Sequence, residues 1–169
     1  MNNLLIIDEL IPQKKCDLII NTLNKKLKKT EKAPRNYSYY DIVNKKESAK
    51  LLENFSSTLI KKYKETYPEI NITQERWVLQ PFKFKKFKPG KYYDTFHSEQ
   101  TVDDPRVLSI IIYLSDHNCG TEFLNNLMVK SIKGRALLFP PFWTHAHRGQ
   151  PCPDNKDRYI LSAYAVLEK

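Results

Sequence analysis

The 169-residue chain carries 28 lysines and arginines against 19 acidic residues, a formal charge of +9, with 41% hydrophobic and 12% aromatic residues. That apolar content is too high for a disordered chain, and the length suits one domain, 1–169, burying about two thirds of its unfolded surface. No apolar run approaches the ~20 residues of a membrane span, and "MNNLLIIDELIP" lacks the basic segment and cleavage site of a secretory signal, so neither is expected.

"NLLIID" reads as a first strand. Pro12 suits the first turn of a helix, after which Cys16, Ile19, Ile20, Leu23 and Leu27 recur with helical spacing and Lys25, Lys26, Lys28 and Lys29 close the last turns. "TEKAPRNYSYYDIV" is a polar connection with room for a short strand. Asn44 and Glu47 are spaced as a capping box, and the helix they open carries Leu52, Phe55, Leu59, Ile60 and Tyr63 on one face and ends near Pro68. From residue 71 the texture changes to short alternating or apolar runs: "ERWVLQPFKFKKFKPG", "RVLSIIIYLSD", "GTEFL", "LMVKSI", "ALLFP" and "RYILSAYAVL". A strand and two helices over 1–70, followed by many strands over 71–169, predict an α+β protein with a β-sandwich or barrel core.

The three cysteines, Cys16, Cys119 and Cys152, are odd in number and form no CxxC, which predicts reduced thiols and a cytoplasmic location. The positive charge is spread along the chain, so nucleic acid is a candidate partner but not the favoured one. In "FKFKKFKPG" the aromatic–lysine alternation suits a single-stranded nucleic acid. The preferred reading is a strand with Phe82 and Phe84 on the core face, Lys83 and Lys85 outward, and a bulge near Lys86 that turns Phe87 inward.

His97 and Glu99 in "HSE" stand at i, i+2, so an extended backbone sends both to one side. An imidazole and a carboxylate are two of the three ligands of a 2-His-1-carboxylate iron site. The third falls to His145 or His147 of "HAHRG", since His117 lies in the turn "SDHNCG"; in a strand both candidates would face the same way.

The order of the motifs carries more than any one of them. "HSE", "RVLSIIIYLSD", "CGTEFL", "KGRALLFPP", "HRGQP" and "RYILSAY" follow one another as in the prolyl 4-hydroxylase-like branch of the Fe(II)/2-oxoglutarate-dependent oxygenases, which the chain resembles from about Gln80 to Glu168. The resemblance implies a double-stranded β-helix (jelly-roll) core with the two N-terminal helices packed on one sheet. It implies Fe(II) on His97, Glu99 and His147, the last because the distal ligand precedes x-Gly, and it leaves His145 as a packed or supporting histidine, with a substrate contact as the alternative. It implies that Arg158 and Tyr113 bind the far carboxylate of 2-oxoglutarate; a salt bridge to an acidic loop is the alternative use of Arg158. The implied reaction is hydroxylation of a C–H bond, of a prolyl or other residue in a protein or peptide or of a small molecule, with ascorbate as a candidate reductant. Three positions depart from the family pattern: Glu99 for Asp, Asn118-Cys119 where a glycine usually precedes Gly120, and Phe87 for Tyr. A substrate lid would come from 32–40 or 98–105. A non-catalytic, cupin-like metal-binding jelly roll and a basic nucleic-acid-binding β domain are the rival functions. The sequence does not give an oligomeric state.

Overall fold

The computed structural model describes residues 3–29, 36–73, 75–103 and 105–168, so residues 32–35 of the expected 32–40 lid segment lie outside the described residues, as does Asp104 in 98–105. In chain order the elements are β1 (Leu5–Ile7), α1 (Gln13–Leu23), β2 (Lys28–Lys29), β3 (Ser38–Asp41), α2 (Lys45–Thr66), β4 (Trp77–Leu79), β5 (Lys83–Phe87), β6 (Arg106–Tyr113), β7 (Gly120–Phe123), β8 (Met128–Lys130), β9 (Ala136–Phe139), β10 (His147–Gly149) and β11 (Arg158–Leu167). Eight strands form a major sheet in the order β1-β9-β6-β11-β5-β3-β2, with β4 also paired to β11; β10-β7-β8 form a minor sheet. Every pairing is antiparallel. This is the expected jelly roll, and the two helices pack on its major sheet.

Local chemistry sets the helices. The Pro12 carbonyl accepts the amides of Lys15 and Cys16 at the start of α1, and Cys16, Ile19 and Leu23 are buried beneath it. The α-helix stops at Leu23; Lys25 and Lys26 lie in a 3₁₀ turn and Lys28 and Lys29 form β2, so the lysines follow the helix rather than closing it. Asn44 Oδ1 caps α2 by accepting the amides of Lys46 (3.0 Å) and Glu47 (3.1 Å). The reciprocal half of the box is not made, because Glu47 is drawn instead to Lys26 and to the Tyr40 hydroxyl at 2.9 Å.

Side-chain alternation gives the major sheet two buried faces. On the helix side lie Phe82 and Phe84 of the β5 strand and its approach, Leu108, Ile110 and Ile112 of β6, Ala136 and Leu138 of β9, and Leu161, Ala163 and Ala165 of β11. Between the sheets a smaller cluster joins Tyr113, Phe123, Val129, Leu137 and Phe139. Two expectations fail here. β5 pairs with β11 without a break from Lys83↔Ser162 to Phe87↔Arg158, so there is no bulge. Phe87 therefore shares a face with Lys83 and Lys85, and that face lines the cavity between the sheets, not the outside. The second failure concerns the thiols: Cys119 and Cys152 are joined as a disulfide, and Cys16 alone is free and buried. Their 33-residue separation hides that the 118–120 turn and the 150–157 loop meet, and the argument from unpaired thiols to a reducing compartment falls with it. No helix among the described residues is long and apolar enough to cross a membrane.

Gly120, the glycine that remains of the expected pair, is required by close approach: a Cβ there would lie 1.9 Å from the Val129 carbonyl oxygen. Phe84 is fully buried in the helix-side core, whereas Ile72 is 80% exposed. Phe84→Ala should cost about 3–5 kcal/mol in urea unfolding and Ile72→Ala less than about 0.5 kcal/mol. Equal effects would contradict this placement of the core.

Candidate metal centre

Two segments fifty residues apart are fastened by reciprocal backbone hydrogen bonds. The His97 amide donates to the His147 carbonyl and the His147 amide to the His97 carbonyl, both at 3.0 Å. His147 opens β10 and is paired with Phe123 of β7, so the minor sheet fixes it. The Glu99 amide donates to the Pro141 carbonyl at 2.9 Å, which places its side chain on the same spot. As a result one ligand atom each from His97, Glu99 and His147 lie within 4.8 Å of one another. The expected triad is brought together.

Hydrogen bonds fix the tautomers. His97 Nδ1 lies 2.9 Å from the Thr95 carbonyl and His147 Nδ1 lies 3.1 Å from the His145 carbonyl. A carbonyl only accepts, so each Nδ1 carries a proton, and Nε2 is the ring nitrogen turned toward Glu99, at 3.3 Å for His97 and 3.9 Å for His147. Burial and the neighbouring His97 push His147 down to about 4, so it is neutral and ready to ligate at ordinary pH. Burial pushes the Glu99 carboxyl up, but His97, Lys85 and Tyr164 outweigh it and hold the group ionised, at about 2.

Sequence reasoning missed what holds Glu99. Tyr164 donates its hydroxyl to Glu99 Oε2 at 2.7 Å, and Arg106 Nη1 donates to the Glu99 carbonyl at 2.9 Å and approaches Oε2 at 3.5 Å. The Arg106 guanidinium itself lies 3.9 Å from the centre of the Tyr164 ring. Oε2 is thus occupied and Oε1 is left facing the imidazoles, which suits a glutamate whose extra methylene would otherwise let it wander. The one sequence signal was parity: Tyr164 is six residues on from Arg158 along the same strand, hence on the same face.

His145 stands outside this cluster. It lies in a 3₁₀ turn, Trp143–His145, so the equivalence of the two histidines in a strand does not hold. Its ring is packed near Phe139 and Phe123, its Nδ1 meets the Thr144 hydroxyl at 2.9 Å, and its carbonyl orients His147.

Farther into the same cavity, of about 510 Å³, are Arg158 and Tyr113. Arg158 is 5% exposed, and its contacts are neutral: Nη1 to Cys119 Sγ at 3.0 Å and to the Gly120 and Gln150 carbonyls at 3.4 Å. Its Nε has no partner, no carboxylate among the described residues pairs with it, and burial lowers its pKa. The salt-bridge alternative therefore has no support here. A buried guanidinium without a counter-charge is costly, and a carboxylate ligand removes that cost. Tyr113, which burial pushes up to about 12, bonds Thr121 Oγ1 at 2.7 Å, so a third polar group that the sequence did not single out stands beside the expected two. Two imidazoles with one carboxylate suit Fe(II), and the uncompensated arginine suits a dicarboxylate cosubstrate.

Two outcomes follow from these contacts. Tyr164→Phe frees Glu99 Oε2 and should weaken metal binding about tenfold in a Co(II) titration; an unchanged affinity would show that the clamp is idle. His147, at about 4 against an ordinary 6.5, binds its proton more weakly folded than unfolded. The metal-free protein should therefore lose stability as pH falls from 6.5 toward 4, with Glu99 adding a further loss below 4.5. His147→Gln should flatten the first part of that fall in urea midpoints.

No protein-family model and no curated protein matches the sequence. Solved structures do. A viral collagen prolyl hydroxylase from Paramecium bursaria Chlorella virus-1, in its 2OG complex, is 19% identical, with 99% of this chain and 97% of that one covered at a TM-score of 0.74. A Pseudomonas putida prolyl-4-hydroxylase is 14% identical over 99% and 94%, at 0.75. A Trichoplax adhaerens prolyl hydroxylase, in complex with a hypoxia-inducible-factor oxygen degradation domain peptide fragment, is 16% identical over 98% and 84%, at 0.77. The chain has the fold of these prolyl hydroxylases.

Proposed function

We propose that the protein is an Fe(II)- and 2-oxoglutarate-dependent oxygenase that hydroxylates a C–H bond of a prolyl or other residue in a protein or peptide. The observation that carries this is Arg158: a buried cation without an acidic partner among the described residues, in the same cavity as a His-Glu-His cluster. A jelly roll that merely stores or senses a metal has no use for that arginine, and a nucleic-acid surface has no use for either group. The 2OG complex of the viral neighbour and the peptide complex of the Trichoplax neighbour support the choice of cosubstrate and of substrate kind.

His97 Nε2, His147 Nε2 and Glu99 Oε1 would hold the iron; Arg158, with Tyr113 and Thr121, would take the far carboxylate of 2-oxoglutarate. When bound, iron with 2-oxoglutarate and dioxygen supplies the oxidising power, so that substrate C–H, O₂ and 2-oxoglutarate become substrate C–OH, succinate and CO₂. The chain's own part is to position and to shield. Tyr164 and Arg106 fix the carboxylate ligand. Phe123 and Phe139, with ring centres 5.7 and 4.7 Å from the His147 ring, keep water from one side of it.

Anaerobic titration with Fe(II) and 2-oxoglutarate should produce the weak visible charge-transfer band of the chelate. Glu99→Ala and His147→Ala should abolish the band and succinate production without substrate, whereas His145→Asn should keep both. Arg158→Met should keep metal but require about 100-fold more 2-oxoglutarate, since the cosubstrate's carboxylate would then be buried unpaired. Succinate production that survives Glu99→Ala would overturn the ligand assignment.

A further inference from the structure

The cavity above the metal cluster is lined by an unusual strand face. Lys83, Lys85 and Phe87 of β5 point into it, while the intervening Phe84 packs beneath the helices. A lysine facing the space between two sheets gives up hydration, and two of them at i, i+2 do so on a single face. Both ammonium groups are held in place: Lys83 lies 4.9 Å from the centre of the Tyr39 ring and 3.4 Å from Asp41, and Lys85 lies 5.0 Å from the Tyr37 ring. An aromatic face positions a cation without cancelling its charge, and at Lys83 the Asp41 carboxylate offsets part of it. Lys85 is close enough to act electrostatically on both Glu99 and His147, which places its charge beside the metal ligands.

Around the same cavity stand Arg106, Arg148 and Arg158, whereas Asp41 and Glu99 are the only carboxylates among the described lining residues. At the rim Arg148 is paired with Glu122 at 3.0 Å. Fe(II) and doubly ionised 2-oxoglutarate cancel one another, so the loaded cleft stays positive where a substrate must lie. A positive, partly desolvated cleft favours an anionic ligand and rejects a cationic one.

We propose that the cleft selects a peptide bearing a carboxylate side chain beside the residue that is hydroxylated, and that Lys85 with Lys83 reads that carboxylate. This rests on the oxygenase reading above. The test uses the full chain loaded with Mn(II) and 2-oxoglutarate under argon, and short fluorescein-labelled peptides of one proline–glycine frame carrying Glu, Gln or Lys at the same positions. By anisotropy the Glu peptide should bind about tenfold more tightly than the Gln peptide, and the Lys peptide most weakly. Lys85→Met and Lys83→Met should remove most of that preference while leaving the Gln peptide unaffected; Lys85→Arg should retain it, and the Fe(II)–2-oxoglutarate band reports that each variant is folded. Equal binding of Glu and Gln peptides, or an equal loss for all peptides in the methionine variants, would overturn the proposal. So would a single-stranded oligonucleotide that outcompetes the Glu peptide. The same peptides in an aerobic assay separate the two readings. Charge preference without hydroxylation of any peptide leaves the lysine assignment standing and removes residue hydroxylation. Hydroxylation without charge preference does the reverse.

Discussion

The reciprocal hydrogen bonds between the backbones of His97 and His147 are the joint on which the site depends. They fasten a loop that precedes β6 to the first residue of a minor-sheet strand, and the minor sheet in turn holds that residue through β7. Once this bridge is closed, the rest is a matter of local chemistry. Two carbonyls, of Thr95 and His145, set which imidazole nitrogen keeps its proton, and Pro141 fixes the backbone of Glu99. Each of the three side chains is held by a group that is itself held, which keeps their donor atoms converged.

A second constraint is that the major sheet is buried on both faces. One parity of each strand feeds the helix-side core with Leu, Ile, Phe and Ala, and the other is released for chemistry. Along β11 the released parity begins at Arg158 and reaches Tyr164, so one strand supplies both the buried cation and the hydroxyl that clamps Glu99. Along β5 it supplies two lysines and Phe87. The helices thus do indirect functional work: by covering one face they let the opposite face carry polar groups without loss of the core.

Electrostatics in the cavity runs from compensated to uncompensated along its depth. Glu99 has donors on one oxygen and imidazoles near the other, whereas among the described residues Arg158 meets neutral acceptors alone and its Nε is idle. A buried cation in that condition is a destabilising feature for the chain alone and an affinity feature for a carboxylate. The Cys119–Cys152 disulfide lies against this arginine, with Cys119 Sγ at 3.0 Å and Cys152 Sγ at 3.7 Å from Nη1, and ties together the turn and loop that wall it in.

By itself the sequence determined the order of elements, the helical faces and a strand-rich sandwich or barrel core, because periodicity is a property of neighbours along the chain; the jelly roll and the candidate set His97, Glu99, His147, Arg158 and Tyr113 came from the order of motifs and the resemblance it carries. It did not separate His145 from His147 by spacing, since a 3₁₀ turn, not a strand, carries His145. It placed Lys83 and Lys85 outside, because alternation shows that two faces differ without showing that both are covered. It left Cys119 and Cys152 apart and passed over Tyr164, Arg106 and Thr121. Those were decided only in three dimensions, where partners between 7 and 65 residues distant in the chain come within hydrogen-bonding reach. Such contacts depend on which strands lie side by side, and no local pattern records that.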